Sequence, residues 1–287
     1  MFISTENLRY TYLPGSPFAV EALRGVNMSI ARESLTVLLG ASGSGKSTLL
    51  QHFNGLLRPG EGRVLVDGEP LKYSRKELLD LRRKVGLVFQ EPEKQFFAET
   101  LFDEIAFAPR NFGLPSAQVE ERVETALEQV GLNGLALKEM SPFHLSAGQQ
   151  RLAAIAAVLA MQPRVLFLDE PIAGLDQSGQ ERLFALLRDL NKVSKLTVVV
   201  VTHRLEHVAA LADKFLVLDQ GRIVMEDTPE KFFLRVEELF HYGLALPSVT
   251  QLMHELAEAG LPFSTAIFSI DEAFKEIKSW RKGMARF

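Results

Sequence analysis

Cysteine is absent from this 287-residue chain. That excludes disulfides, thiolate metal ligands and cysteine nucleophiles, and it fits a reducing compartment. There is no excess of basic charge either. The net charge is −4, so composition offers no nucleic-acid footprint, and the short clusters Arg75-Lys76 and Arg82-Arg83-Lys84 read as solvated faces. No long apolar run occurs. The longest uncharged apolar stretch, 152–161, is too short to span a bilayer, and its alanines suit a packed core helix. The first residues, Met1-Phe2-Ile3-Ser4-Thr5-Glu6, lack the basic and apolar regions of a signal peptide. Any membrane role is therefore expected to come through a partner. No internal repeat or low-complexity tract interrupts the chain. An apolar content of 47% and a charged content of 24% are ordinary for a globular protein, and the length suffices for one large α/β domain with a small appendage.

The most informative feature is Gly40-Ala41-Ser42-Gly43-Ser44-Gly45-Lys46-Ser47, followed by Thr48. It fits the phosphate-binding pattern G-x-x-x-x-G-K-[ST]. The preceding apolar run 35–39 reads as a buried strand and the following run from Ser47 to Phe53 as a helix, which is the context the motif requires. Glycines let the backbone curl so that several N–H groups converge on one anion, and the helix brings its positive end to the same point. Lys46 is then placed for the β/γ-phosphates and the Ser47 hydroxyl for Mg²⁺. A chance match in a chain this long has a probability on the order of 1%, given average glycine usage.

Strand-like and helix-like segments alternate through residues 1–235. Strands are predicted at 7–12, 26–30, 35–39, 63–66, 85–89, 165–168, 197–201 and 215–218. Several are continuous apolar runs, the pattern of strands covered on both faces. Helices are predicted at 49–56, 119–130, 147–161 and 180–191. The alternation predicts an α/β fold with a mostly parallel sheet core, flanked by an antiparallel β layer made from the early strands. Residues 98–160 interrupt it as a helical subdomain. From 236 to 287 the pattern becomes a small C-terminal helical module, with amphipathic helices at 249–259 and 271–280 separated by Gly260-Leu261-Pro262, and with Pro247 stopping what precedes.

Further chemistry gathers at predicted strand ends. The apolar run 165–168 ends in Asp169 and Glu170. Asp169 is placed to hold Mg²⁺ through water, and Glu170 to polarise an attacking water as general base. His203 follows the strand at 197–201 and can sense a γ-phosphate; the other five histidines read as structural. Gln90 ends another apolar run, where a neutral amide can reach Mg²⁺ or the attacking water. Leu145-Ser146-Ala147-Gly148-Gln149 opens a long helix with Ser146 as N-cap, making a second anion-facing helix start. One nucleotide cannot satisfy two such starts, so the second is expected to serve ATP held by another subunit.

Taken in order, the P-loop 40–47, Gln90, the signature-like 145–149, the strand with Asp169 and Glu170, Gly174-Leu175-Asp176 and His203 resemble the motif set of ABC-type ATPases across residues 1–235. Within that family the chain resembles the ATPase subunits of energy-coupling factor (ECF) and cobalt/nickel-type importers, and the second paralogue of the usual pair. The stretches that carry this are Leu49-Leu50-Gln51-His52-Phe53-Asn54-Gly55-Leu56-Leu57, Phe89-Gln90-Glu91-Pro92-Glu93-Lys94-Gln95-Phe96-Phe97, Ile105-Ala106-Phe107-Ala108-Pro109-Arg110-Asn111-Phe112-Gly113 and Ser141-Pro142-Phe143. The resemblance implies a P-loop NTPase fold of the ABC-ATPase type and Mg²⁺-dependent ATP hydrolysis that powers uptake of a vitamin or transition-metal ion. It also implies a second ATPase subunit, an integral membrane coupling subunit, a substrate-binding membrane subunit and no nucleic-acid partner. The chain would sit peripherally at the cytoplasmic face of the cell membrane.

Residue by residue, the resemblance implies that Tyr12 stacks on adenine, and that Ser47 and Gln90 ligate Mg²⁺. Glu170 would be the base, and Ser146, Gly148 and Gln149 would face a partner's γ-phosphate. Residues 91–97 would meet the membrane subunit, and 236–287 would help hold the dimer together. One departure stands out: Ala147 replaces a usual glycine. If that position needs φ > 0, the methyl group costs about 1 kcal/mol or more, and the composite site it completes turns over slowly or not at all. Two alternative readings are a soluble ABC ATPase acting on nucleic acid or the ribosome, and a subunit that binds ATP without hydrolysing it.

Overall fold

The computed structural model describes residues 1–132, 134–206 and 208–284. Among the described residues, ten strands form two sheets. The smaller is antiparallel and contains β1 (Ile3–Tyr12), β2 (Val20–Ile30), β4 (Glu61–Val66) and β5 (Glu69–Pro70), in the order β2-β1-β4-β5. The larger contains β3 (Leu35–Leu39), β6 (Val85–Val88), β7 (Val165–Asp169), β8 (Thr197–Thr202), β9 (Lys214–Asp219) and β10 (Arg222–Asp227), in the order β10-β9-β3-β8-β7-β6. All its pairings are parallel except β9 with β10.

The apolar runs explain this sheet. Along β3, Leu35, Val37 and Leu39 enter one core, and Leu38 enters the other. In β8, Val198 and Val200 face the first core, Val199 and Val201 the second. In β7, Leu166 and Leu168 oppose Val165 and Phe167 in the same way. Both faces are covered, as a two-unit side-chain period in uninterrupted apolar strands requires.

One face packs on the antiparallel sheet and α1 (Lys46–Phe53), with Phe53 stacked on Phe167 at 5.3 Å between ring centroids. The other carries α7 (Gln177–Lys192) and, between β6 and β7, a helical group. That group comprises α3 (Leu101–Asn111), α4 (Ser116–Gln129), α5 (Leu135–Lys138) and α6 (Ala147–Leu159); α2 (Arg75–Lys84) leads into β6. After β10 come α8 (Pro229–Phe232), α9 (Val236–His241), α10 (Ser248–Glu258) and α11 (Ile270–Met284). Leu239, Leu244 and Leu246 join the larger core, while Met253, Phe263, Ile267 and Ala273 form a separate small one.

Several elements lie outside the sequence expectations. The basic clusters at 75–76 and 82–84 sit on α2, capped by Ser74 and burying only Leu81. β5 and β10 are short or polar edge strands, exposed at Glu69, Pro70 and Arg222. A lone buried leucine and mixed edge strands carry little periodic signal.

Register matters most for function. Leu39 pairs with Thr202, and Asp169 with Val201. The residues just past β3, β6, β7 and β8 therefore emerge side by side at one edge, the crevice outside the carboxyl ends of parallel strands.

Candidate functional site

Between β3 and α1 the chain turns through Gly40, Gly43 and Gly45 at φ 152°, 80° and 107°. A Cβ on Gly40 would stand 2.2 Å from the Leu218 carbonyl oxygen, and one on Gly45 would stand 2.6 Å from that of Ala22. Glycine is needed at both for backbone shape and for close approach. Lys46 folds back on this loop, its Nζ donating to the carbonyls of Gly40 at 2.8 Å and Ala41 at 2.9 Å. Burial lowers its proton affinity, while first Glu170 and then Asp169 raise it again.

A cleft of about 750 Å³ opens above this loop. Of the residues expected from sequence, it is lined by Tyr12, Ser42, Gly43, Gly45, Lys46, Ser47, Thr48, Gln90, Asp169, Glu170 and His203. Gly40, Ala41 and Ser44 form the loop beneath it, and the Gly221 N–H donates to Ser44 O at 2.9 Å. Tyr12 stands at the rim, its hydroxyl 3.1 Å from Thr48 Oγ1 and its ring edge-on to Tyr10.

Ser47 Oγ donates to Asp169 Oδ2 at 2.7 Å. Burial holds the Asp169 carboxyl above its ordinary range, opposed by the Ser47 hydrogen bond. Next to it, Glu170 occupies the left-handed region at φ 46°, pinned by its N–H to Val201 O at 2.8 Å. Its carboxylate accepts from Thr202 Oγ1 at 3.1 Å and from His203 Nδ1 at 2.8 Å. A non-glycine residue in that region persists only where its surroundings over-determine it, which is common at reactive centres. The carboxylate is thus held by two donors at the cleft wall, oriented for proton transfer. His203 stays half exposed beside it. Of the remaining histidines, His52 is buried and bonded to Thr48 O, and His207 lies outside the described residues.

Ser146, Gly148 and Gln149 are not in this cleft. They line a second cavity of about 640 Å³ together with Asp176 and Arg182. Ser146 caps α6 through a reciprocal pair: its Oγ accepts from Gln149 N–H at 3.4 Å, and Gln149 Oε1 accepts from Ser146 N–H at 3.0 Å. The conditional strain at Ala147 does not arise. Ala147 is the first residue of α6 and is not among the positive-φ positions, so its methyl group costs the backbone nothing. A Cβ on Gly148 would meet nothing within 4 Å.

Sequence reasoning missed the wall opposite the P-loop. Arg24, at the cleft side of β2, and the turn Gln220-Gly221 between β9 and β10 also line the cleft. Arg24 N–H donates to Gly221 O at 2.8 Å, and a Cβ on Gly221 would stand 2.6 Å from Ala22 O. A glycine after a strand was the only available signal, and β10 itself was not anticipated.

A family model described as ABC transporter matches residues 23–173. The energy-coupling factor transporter ATP-binding protein EcfA2 of Symbiobacterium thermophilum is 47% identical over 289 residues, covering 100% of both chains. That of Clostridium acetobutylicum is 46% identical over 277 residues, covering 96% of this chain and 97% of its own. Among solved structures, cbiO1 from Clostridium perfringens, part of the ABC transporter complex cbiONQ, superposes with a TM-score of 0.75 at 38% identity, covering 88% of this chain and 98% of that one. A dimeric ATP-binding cassette, MJ0796, in a post-hydrolysis state with ADP and Pi, gives 0.70 at 28% identity, covering 79% and 98%. No described helix is long and apolar enough to cross a membrane. With the P-loop cleft, the oriented glutamate and these likenesses together, the chain belongs to the ATP-binding, ATP-hydrolysing proteins of energy-coupling factor transporters within the ABC transporter family.

Proposed function

We propose that this chain is one ATPase half of an importer that takes up a vitamin or a transition-metal ion, and that two such halves close around ATP. The observation that carries the reading is the separation of the two anion-facing helix starts. The P-loop cleft and the cavity holding Ser146, Gly148 and Gln149 share no lining residue. Gly148 keeps open space where a side chain would fit, so its value lies in what approaches from outside the chain. A head-to-tail arrangement, in which the signature end of one subunit covers the cleft of the other, uses both. The second subunit is then a paralogous ATPase or another copy of this chain.

In the cleft, the N–H groups of residues 41–47 would cradle the phosphates at the start of α1. Lys46 would exchange its two carbonyl partners for phosphate oxygens. Tyr12 would lie against adenine. Ser47, Gln90 and Asp169 offer a hydroxyl, a carboxamide oxygen and a carboxylate, oxygens of the kind a hard cation accepts, and Mg²⁺ bound there would neutralise phosphate charge. Glu170 would take the proton of the attacking water, with Thr202 and His203 fixing its carboxylate. Residues 91–97 and the exposed aromatics beyond them would meet an integral membrane coupling subunit. Phe97 packs edge-on to Phe107 at 4.8 Å while both stay exposed, and Phe143 lies exposed beside Phe96. That subunit would work with a substrate-binding membrane subunit, with this chain peripheral at the cytoplasmic face. The module at 236–287 would stabilise the ATPase dimer.

ATP turnover by the purified chain, alone and co-purified with a paralogous ATPase, tests this. Glu170→Gln is expected to lower turnover by about 10²–10⁴-fold while ATP binding persists. Undiminished turnover in that variant would remove Glu170 from the role of base.

A further inference from the structure

Arg151, in the second turn of α6, is 3% exposed; its side chain does not line the nucleotide cleft but borders the second cavity, beside Ser146, Gly148 and Gln149. Its guanidinium reaches across to the segment that follows Glu170. Nη1 donates to Pro171 O at 3.1 Å and, more weakly, to Glu170 O at 3.4 Å; Nη2 donates to Ala173 O at 3.2 Å. On its remaining edge, Nε lies 3.5 Å from Glu93 Oε2. Those two atoms are buried, and neither completes a hydrogen bond. Glu93 belongs to the 3₁₀ turn Pro92–Gln95, just beyond Gln90 and the left-handed Glu91.

One side chain therefore ties together three segments distant in sequence: the helix behind the signature, the peptide after the base, and the segment after Gln90. A guanidinium suits this task because it stays charged when buried and presents donors in a fixed fork. Its burial also makes it intolerant of losing partners. Burial works against its charge, and Glu93 followed by Glu91 favours it.

We infer that Arg151 is a positioning residue. It holds the backbone of residues 170–173 so that the strained Glu170 keeps its carboxylate aimed, and Glu93 transmits displacement of the Gln90 segment to that backbone. The Arg151–Glu93 pair is the adjustable link, because it is in ionic contact without a formed hydrogen bond. A shift of a few tenths of an ångström in the turn Pro92–Gln95 would close or release it. The inference deepens the proposed roles of Glu170 as base and of residues 91–97 as the membrane-facing segment, and it rests on them.

The test uses the full chain, in whichever preparation turns over ATP, with Arg151→Lys, Glu93→Gln and their combination. Arg151→Lys is expected to lower kcat about tenfold with KM for ATP changed by less than about twofold. Glu93→Gln should give a smaller fall, and the combination no more than Arg151→Lys alone, because the two act as one unit. Amide hydrogen exchange at residues 170–176 should speed up in each variant while β8 is unchanged. Retained kcat in Arg151→Lys, multiplying effects in the combination, or exchange that rises equally across the sheet would each overturn the inference. The exchange readout does not depend on turnover. If Glu170→Gln keeps its activity, the base assignment fails, and the exchange data still decide whether Arg151 holds residues 170–176.

Discussion

Ser47 Oγ and Asp169 Oδ2, 122 positions apart in sequence, are joined at 2.7 Å. The hydroxyl after the P-loop lysine thus already partners the carboxylate at the end of β7, in a cleft that Gln90 and Glu170 also line. A cation bound there would draw on both groups, Ser47 as a ligand and Asp169 through water. Ser47→Ala is expected to weaken Mg²⁺-dependent nucleotide binding by about 10–100-fold, by analogy with loss of a supporting metal contact. Titration with a fluorescent ATP analogue at several Mg²⁺ concentrations checks it, and unchanged affinity would contradict the assignment.

The raised Asp169 carboxyl predicts a pH signature. Between its ordinary 3.8 and its higher folded value, the native state holds a proton that the unfolded chain has lost. That contribution to stability is full below 3.8 and is lost as pH rises through the folded value. Asp169→Asn removes the dependence. Without nucleotide, its thermal midpoint should exceed that of the unsubstituted chain at pH 7, and the gap should narrow as pH falls toward 4. A gap independent of pH would sink this reading.

Two glycines predict opposite outcomes for one substitution. Gly45→Ala puts a Cβ 2.6 Å from Ala22 O at φ 107° and should cost about 1–3 kcal/mol or more, besides weakening ATP binding. Gly148→Ala meets open space inside α6 and should leave stability unchanged or raise it by up to about 1 kcal/mol, while turnover of the assembled dimer falls. Chemical denaturation of both variants reads the contrast directly.

Phe53→Ala removes a fully buried ring stacked on Phe167, at an expected cost of about 3–5 kcal/mol. Phe97→Ala, on an exposed ring, should stay within about 0.5 kcal/mol. The same substitution should reduce capture of the membrane subunit in a pull-down. Full recovery of that subunit with Phe97→Ala and Phe107→Ala combined would move the contact elsewhere.

Much of the centre was legible in the chain because backbone-binding loops and buried strands leave short-range marks. The glycine spacing at 40–45 and the apolar runs ending in Gln90, Asp169 and Thr202 carry most of the cleft. Arg151 left no such mark. Its partners are mainly backbone carbonyls at 170–173, and a carbonyl has the same identity in every residue. Gln220 and Arg24 were invisible for a related reason: Gln220 sits in the turn where β10, a mixed edge strand, folds back on β9, and Arg24 comes from β2 with its N–H bonded to Gly221 of that turn. The cost weighed at Ala147 was conditional on a positive φ, and backbone sign at a single position is not written in the sequence; with Ser146 as N-cap, Ala147 already takes helical geometry.

The small cluster of Met253, Phe263, Ile267 and Ala273 stands apart from the two large cores, tied back by the Phe233–Phe268 contact and the Ser248 N–H to Glu206. A core that small is a weak cooperative unit. The C-terminal helices can therefore open and reclose in a sub-global step while the sheet stays intact, and amides there should exchange through a lower-energy route than those of β3 or β8. An assembly contact on α10 and α11 would then be read out as slowed exchange in that unit alone, so protection at these helices reports subunit pairing separately from occupancy of the nucleotide cleft.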